Sequence, residues 1–282
     1  MMITIGLTGW SDHETIYSST GKHKLEDYAG HFPMVEVDTS YYAIPSPQTT
    51  EKWVEQTPEE FSFVVKAFQA MTKHKEWQQY YDSETEMYRR FMDAIAPMSE
   101  RGRLKAILFQ FPPYFGCTKE NVTYLRATRE KMGDLPLAIE FRNKTWYTES
   151  NTPQTLALLK DLGFIHTVVD EPQVGNGSVP IVLKATNEEM TLIRLHGRNS
   201  AGWMKANSPE WREVRTLYRY NEEEINYWAE NIRYLQKQTK EIIVIFNNNS
   251  GGDAADNAKQ LQKALDISYE GLAPMQMNLF DI

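Results

Sequence analysis

The chain has 282 residues, 41% of them hydrophobic and 24% charged, with a formal net charge of -8. That length suits one α/β barrel or two smaller domains, and the negative charge argues against strong intrinsic binding to a nucleic-acid backbone. A single cysteine, Cys117, excludes an internal disulfide and a cysteine-built zinc cluster.

In chain order, short runs of β-branched and aromatic residues alternate with longer stretches of helical periodicity. Strands are predicted at residues 3–7, 34–38, 61–66, 106–110, 137–141, 165–169, 192–196 and 242–247. Helices are predicted at 25–32, 47–56, 84–98, 119–132, 153–162, 222–238 and 253–265, from apolar residues spaced by three and four. Residues 171–191 carry neither pattern and read as an irregular insertion whose crossover helix is unclear. The first ten residues hold no basic leader and no long apolar run, and no segment is long and apolar enough for a membrane span. A cytoplasmic protein is expected.

Eight strands alternating with helices predict a closed (β/α)8 TIM-like barrel, a single domain over residues 1–268, followed by a tail at 269–282. The rival is an open, doubly wound sheet, which calls for a glycine-rich turn of the GxGxxG type after the first strand. Gly6-Leu7-Thr8-Gly9-Trp10 is not that turn.

The predicted strands begin apolar and end polar. The second ends in Glu36-Val37-Asp38, the third at Lys66 and the fourth at Gln110. The fifth carries Glu140 and Arg142, and the sixth runs into Asp170. Arg194, His196 and Arg198 follow on the seventh, and Asn247 and Asn248 on the eighth. Side chains two apart on a strand share a face, so these groups are expected to ring the barrel axis at its C-terminal end, where barrel enzymes build their sites. Glu36, Asp38, Glu140 and His196 are the acid–base candidates. Lys66, Arg142, Arg194 and Arg198 suit an anion, with Gln110, Asp170, Asn247, Asn248, Trp10 and Tyr41 as further substrate contacts. The alternative reading is a set of structural ion pairs that fill the barrel. Carboxylates with His196 are also ligand types for a divalent cation, but no HxxxH or HExxH pair occurs and the basic neighbours disfavour one. The metal requirement stays open, and no organic cofactor is evident. Residues 247–252 (Asn-Asn-Asn-Ser-Gly-Gly) precede a helix, a place where barrels hold phosphate, or else form a plain turn.

The order of these motifs resembles the YecE-like family, a TIM-barrel domain of unknown function (DUF72). The resemblance rests on Gly6-Leu7-Thr8-Gly9-Trp10, Val35 to Tyr42, Thr57 to Lys66, Leu108 to Pro113, Glu140-Phe141-Arg142, Arg194 to Arg198 and Phe246-Asn247-Asn248, in that order. It spans the chain to about Leu265 and implies the barrel, but no reaction. The first motif departs from it, since Trp10 is followed by Ser11-Asp12-His13-Glu14 rather than an aromatic-rich run.

Near the end, Gln276-Met277-Asn278-Leu279-Phe280 resembles the Q-x-x-L-F peptide by which bacterial replication and repair proteins bind the sliding clamp. Leu279 and Phe280 would enter an apolar pocket while the Gln276 amide makes directional hydrogen bonds. The alternative is a latch folded onto the barrel floor. Three functions follow: an acid–base enzyme, of hydrolase or lyase type, for a polar and possibly phosphate-bearing substrate; a replication or repair accessory recruited to the clamp; or a non-catalytic binding barrel.

Overall fold

The structure, a computed structural model, describes residues 2–17, 24–205 and 214–274. Eight parallel strands close into a barrel in sequential order. They are β1 (Met2–Thr8), β2 (Met34–Val37), β3 (Ser62–Lys66), β4 (Leu104–Gln110), β5 (Leu137–Glu140), β6 (Ile165–Asp170), β7 (Met190–Leu195) and β8 (Glu241–Phe246). The α-helices among the described residues are α1 (Lys24–Ala29), α2 (Pro47–Glu55), α3 (Glu84–Glu100), α4 (Lys119–Met132), α5 (Thr152–Asp161), α6 (Ser200–Trp203), α7 (Glu222–Leu235) and α8 (Asp253–Ala264). The expected barrel is therefore present, and the strand ends fall within two residues of the sequence-based bounds.

Local chemistry explains where the helices start. Ser46, Ser83 and Thr118 each accept a hydrogen bond from the backbone N–H three residues on. Asn221 and Glu224 form a reciprocal capping box at α7. Each satisfies donors that a helix N-terminus otherwise leaves bare.

Alternation along the strands builds two cores. Met34, Val64, Ala106, Leu108, Ala138, Ile165, Leu192, Ile243 and Ile245 fill the barrel interior. Val35, Val37, Ile107, Phe109, Ile139, Phe141, Ile193 and Leu195 point outward against the helices. Gly6 is forced by this interior, since a Cβ there would lie 2.4 Å from the Met34 carbonyl oxygen. β1 and β2 pair only at Leu7↔Val35 and Thr8↔Glu36. The gap is bridged from α1 by Tyr28, whose hydroxyl accepts from Leu7 N at 2.8 Å and donates to Met34 O at 2.8 Å.

The wall departs from ideal geometry between β6 and β7, where residues 171–189 contain no helix. An extended strap runs there instead. Its Ile181, Val182 and Leu183 pack on the outer core, and Lys184 O lies 2.7 Å from the outward His166 Nδ1. At the barrel floor, part of the expected tail is docked. Ile5 N donates to the Tyr269 hydroxyl at 2.9 Å, and Ala273 N donates to Ala29 O at 3.0 Å. The peptide Gln276, Leu279 and Phe280 lies outside the described residues. No helix among the described residues is long and apolar enough to cross a membrane.

Candidate functional site

Parity on the strands sets which side chains meet. Glu36, two residues beyond the interior Met34, points inward, as do Glu140 beyond Ala138, Gln110 beyond Leu108, Lys66 beyond Val64, Arg194 and His196 beyond Leu192, and Asn247 beyond Ile245. At the C-terminal end these groups converge on one ion network.

Arg194 is its centre and is 1% exposed. Its Nε and Nη2 donate to the two Glu36 oxygens at 2.8 and 2.7 Å, and its Nη1 donates to Glu140 Oε2 at 2.7 Å and to Gln110 Oε1 at 3.2 Å. Thr8 Oγ1 adds a donor to Glu36 Oε1 at 3.1 Å. Arg142 Nε donates to Glu140 Oε1 at 2.6 Å, and its Nη1 pairs with Glu171. The Trp203 ring lies 5.3 Å from the Arg142 guanidinium.

Three carboxylates, Glu36, Glu140 and Glu171, thus face two guanidiniums. Burial alone would raise the Glu140 pKa, but Arg142 and then Arg194 overcome it and hold that carboxyl well below the usual range. The imbalance is relieved at Glu171, which burial pushes up to about 7 although Arg142 pulls the other way. Burial also works against charge on Arg194, but Glu140 and Glu36 keep it firmly protonated.

His196 is neutral, since burial and then Arg142 hold its pKa well below 6.5. Its Nε2 lies 2.9 Å from Arg142 Nη2 and 3.3 Å from Glu140 Oε1, while its Nδ1 lies 2.8 Å from Asn247 Nδ2. A neutral imidazole has one N–H and one lone pair. A guanidinium only donates, whereas an amide can turn its oxygen toward the ring. The consistent assignment puts the proton on Nδ1 and the lone pair on Nε2.

Above this floor sits a second tier, half-buried and facing the mouth. Lys66 and Asp38 occupy it, and neither forms an ion pair among the described residues. The register Val37↔Val65 makes them neighbours along the chain ends, Asp38 just after β2 and Lys66 at the end of β3. Burial and then Arg194 push the Lys66 pKa down to about 8. Burial and then Glu36 raise that of Asp38. Lys66 Nζ lies 4.5 Å from the Tyr41 ring centre, and Tyr41 stands against His74, which burial and then Lys66 push down to about 4.

Other expected residues lie elsewhere. Asp170 is in register with the outward Leu195, so it faces the helices, where Trp228 Nε1 donates to it at 3.0 Å and Arg198 Nε at 3.0 and 3.1 Å. Arg198 joins it because Gly197, at φ +81°, breaks the strand alternation before it; Arg198 also reaches Glu224 at 3.0 Å. Asn248 points outward, donating to Tyr218 O and Asn257 Oδ1, both at 2.9 Å. Trp10 packs edge-on against Trp53 at 5.2 Å. The loop before α8 has no side-chain cap, and Asp253 pairs with Arg219 at 2.6 Å. Among the described residues no cluster of three His, Cys, Asp or Glu is arranged to hold a metal ion.

Two inward groups were missed from the sequence, Thr8 and Glu171. Counting by twos along β6 from the interior Ile165 reaches Thr167, Val169 and Glu171, not Asp170, so the signal was there.

The family described as "Protein of unknown function DUF72" matches residues 4–278. The chain is 52% identical to the UPF0759 protein YunF of Bacillus subtilis, over 99% of this chain and all of that one. Its fold is similar to the crystal structure of a DUF72 family protein from Enterococcus faecalis, with a TM-score of 0.92 and 46% identity over 98% of this chain and 100% of the other. A DUF72 family protein from Thermotoga maritima has a TM-score of 0.81 and 33% identity over 95% and 100% of the two chains.

Proposed function

The chain belongs to the DUF72 family, and from the geometry of its barrel mouth we propose that it is an acid–base enzyme, of hydrolase or lyase type, for a small polar substrate. The observation that carries this reading is the two-tier mouth. A buried, mutually paired ion network forms the floor, and above it Lys66 and Asp38 stand without ion-pair partners among the described residues. Barrel-filling ion pairs would need no such second tier. Perturbed titratable groups gathered at the C-terminal strand ends are the usual mark of a barrel active site.

In this reading Glu36 and Glu140 fix the arginines, His196 accepts from Arg142 through Nε2 and helps to hold it, and Asp38 moves the proton. Lys66 meets a polar oxygen group of the substrate, and phosphate is the anion class that suits a mouth lined by a lysine and arginines. A cytoplasmic setting is part of the same proposal.

The test is thermal denaturation with a panel of phosphorylated sugars and their unphosphorylated counterparts. A ligand at a hundred times its Kd should add about 2.7 kcal/mol of stability. The gain should appear with phosphorylated members and shrink at least tenfold in affinity with Lys66→Met. No gain from any member, or equal gains in wild type and Lys66→Met, would refute the assignment.

The tail motif favours a second reading, a replication or repair accessory recruited to the sliding clamp through Gln276, Leu279 and Phe280. Calorimetric titration of the full chain and of a chain ending at Met275 against a bacterial clamp decides it. Binding that vanishes with the truncation supports recruitment, and no binding by the full chain ends the idea.

A further inference from the structure

We propose that Lys66 is an amine nucleophile, and that the substrate group it meets is an aldehyde or ketone carbonyl with which it forms a Schiff base. This rests on reading the barrel mouth as the catalytic site, and it narrows the substrate to a carbonyl compound.

The first support is contrast. Arg142, Arg194 and Arg198 each reach two carboxylates, whereas Lys66 has none within ion-pair range among the described residues. Lys66 is therefore no part of the structural network beneath it. The second is placement. It lies at the C-terminal end of β3 on the inward face, half-buried, with Tyr41 flanking its Nζ at 4.5 Å. The backbone beneath it is pinned, since Ser40 Oγ donates to Lys66 O at 2.6 Å.

The third support is chemical. A lysine set to hold an anion gains by staying charged. Here burial and Arg194 both oppose the charge. With a pKa of about 8, roughly a tenth of the amine is free at neutral pH, against less than about a thousandth for an ordinary lysine. Desolvation beside another cation is a known way of making a lysine nucleophilic.

The fourth is the neighbour. Asp38 keeps its proton more readily than a solvated carboxyl and stands beside Lys66. The step balances as follows. The free Nζ lone pair forms the N–C bond as the carbonyl π pair moves to oxygen. One proton passes from nitrogen to that oxygen, giving a carbinolamine. Asp38 then protonates the hydroxyl, the C–O bond breaks with loss of water, and the nitrogen lone pair completes the iminium. No oxidant or reductant is consumed. The iminium draws electrons from the adjacent carbon, where the Asp38 carboxylate left by the dehydration can remove a proton.

The test treats the full chain with glyceraldehyde 3-phosphate or dihydroxyacetone phosphate, reduces with borohydride, and maps adducts by peptide mass spectrometry. A parallel arm measures the dinitrophenylation rate of each lysine against pH with fluorodinitrobenzene. The expected result is a reduced adduct at Lys66 ahead of the surface lysines. Lys66 should also be dinitrophenylated roughly tenfold faster than the others at pH 7, with a midpoint near 8. Lys66→Arg keeps a cation and should abolish the adduct while leaving the melting curve of a folded protein. An adduct spread over surface lysines, with Lys66 unmodified and slow toward fluorodinitrobenzene, overturns the proposal. If phosphorylated ligands still stabilise the wild type in that case, the catalytic mouth stands and only the Schiff base falls. If they do not, both fall.

Discussion

Replacing Arg194 with methionine tests whether the ion network holds the barrel mouth together. Methionine keeps an apolar stem like that of arginine and leaves out the guanidinium. Three charged hydrogen bonds, at 2.7 to 2.8 Å, would be lost to two carboxylates that are themselves 0% exposed. Glu140 would keep Arg142, but Glu36 would keep only the Thr8 hydroxyl among the partners described above. Removing one partner of a buried pair typically costs about 3–5 kcal/mol. For a chain of this length about 2 °C of Tm corresponds to each kcal/mol, so a fall of about 6–10 °C is expected at pH 7. The pH dependence supplies a second check. Glu140 has its folded pKa depressed, so its contribution is present above the unfolded value of about 4.5 and lost as pH falls. The deficit of Arg194→Met should therefore hold from pH 7 to about pH 5 and narrow at an acidic pH well below 4.5, such as about pH 3. Adding Glu36→Gln to Arg194→Met should restore part of the loss by removing the stranded charge. Thermal and urea melts of the three proteins at pH 7 and about pH 3 make the measurement. A loss under about 1 kcal/mol, or a gap unchanged with pH, would show that the network is not a stabilising floor.

Lys66→Met should stabilise the protein. The shift from 10.5 to about 8 bounds the gain near 3.4 kcal/mol, and partial exposure of Lys66 reduces this to about 1–2 kcal/mol. Its folded pKa is lowered, so the gain should be full below pH 8 and fade as pH rises toward 10.5; urea melts at pH 7 and pH 10 would expose a gain of the wrong sign. Glu171 has its folded pKa raised to about 7, so the stabilisation it gives is complete below 4.5 and disappears as pH rises through 7. Glu171→Gln should flatten the decline in Tm between pH 5 and pH 8, and an equal decline in both proteins would count against that carboxyl. Gly6→Ala places a methyl group 2.4 Å from the Met34 carbonyl oxygen and should cost at least about 2 kcal/mol by thermal melt, whereas a neutral effect would mean that β1 and β2 separate freely.

The barrel was legible because each strand is a compact apolar run with a polar end, a pattern that two-sided burial produces directly. The network floor was legible for the same reason. Glu36, Glu140, Arg142, Arg194 and His196 all sit an even number of residues from an interior apolar side chain. Asp170 and Glu171 were harder to separate. The strand was taken to end before Asp170, and only strict counting from Ile165 reveals that Asp170 lies on the outer face. Gly197 shows why counting also fails, since a left-handed residue resets the face for Arg198. The strap after β6 escaped altogether as structure. Extended chain packed on a barrel wall has no periodic signature, and its ties are single contacts such as Lys184 with His166.

That strap gives the barrel a natural seam. Gly175 and Asn176 form an exposed turn near the start of the strap, while Glu171 and Val179 on either side are buried and joined by the Val179 N–H donating to Glu171 at 2.8 Å. A backbone cut at this turn would divide the molecule into a six-strand piece and a two-strand piece. These would meet along two ladders, β6 with β7 and β8 with β1. Each piece alone would expose two raw sheet edges, and joining them would cover both at once. Such a division is the form required of a complementation pair, in which two separately made fragments report their encounter by closing one barrel. The closing fragment would bring Arg194 and His196 to the Glu36, Glu140 and Arg142 of the other, so the Arg194 half of the ion network would exist only in the reunited molecule.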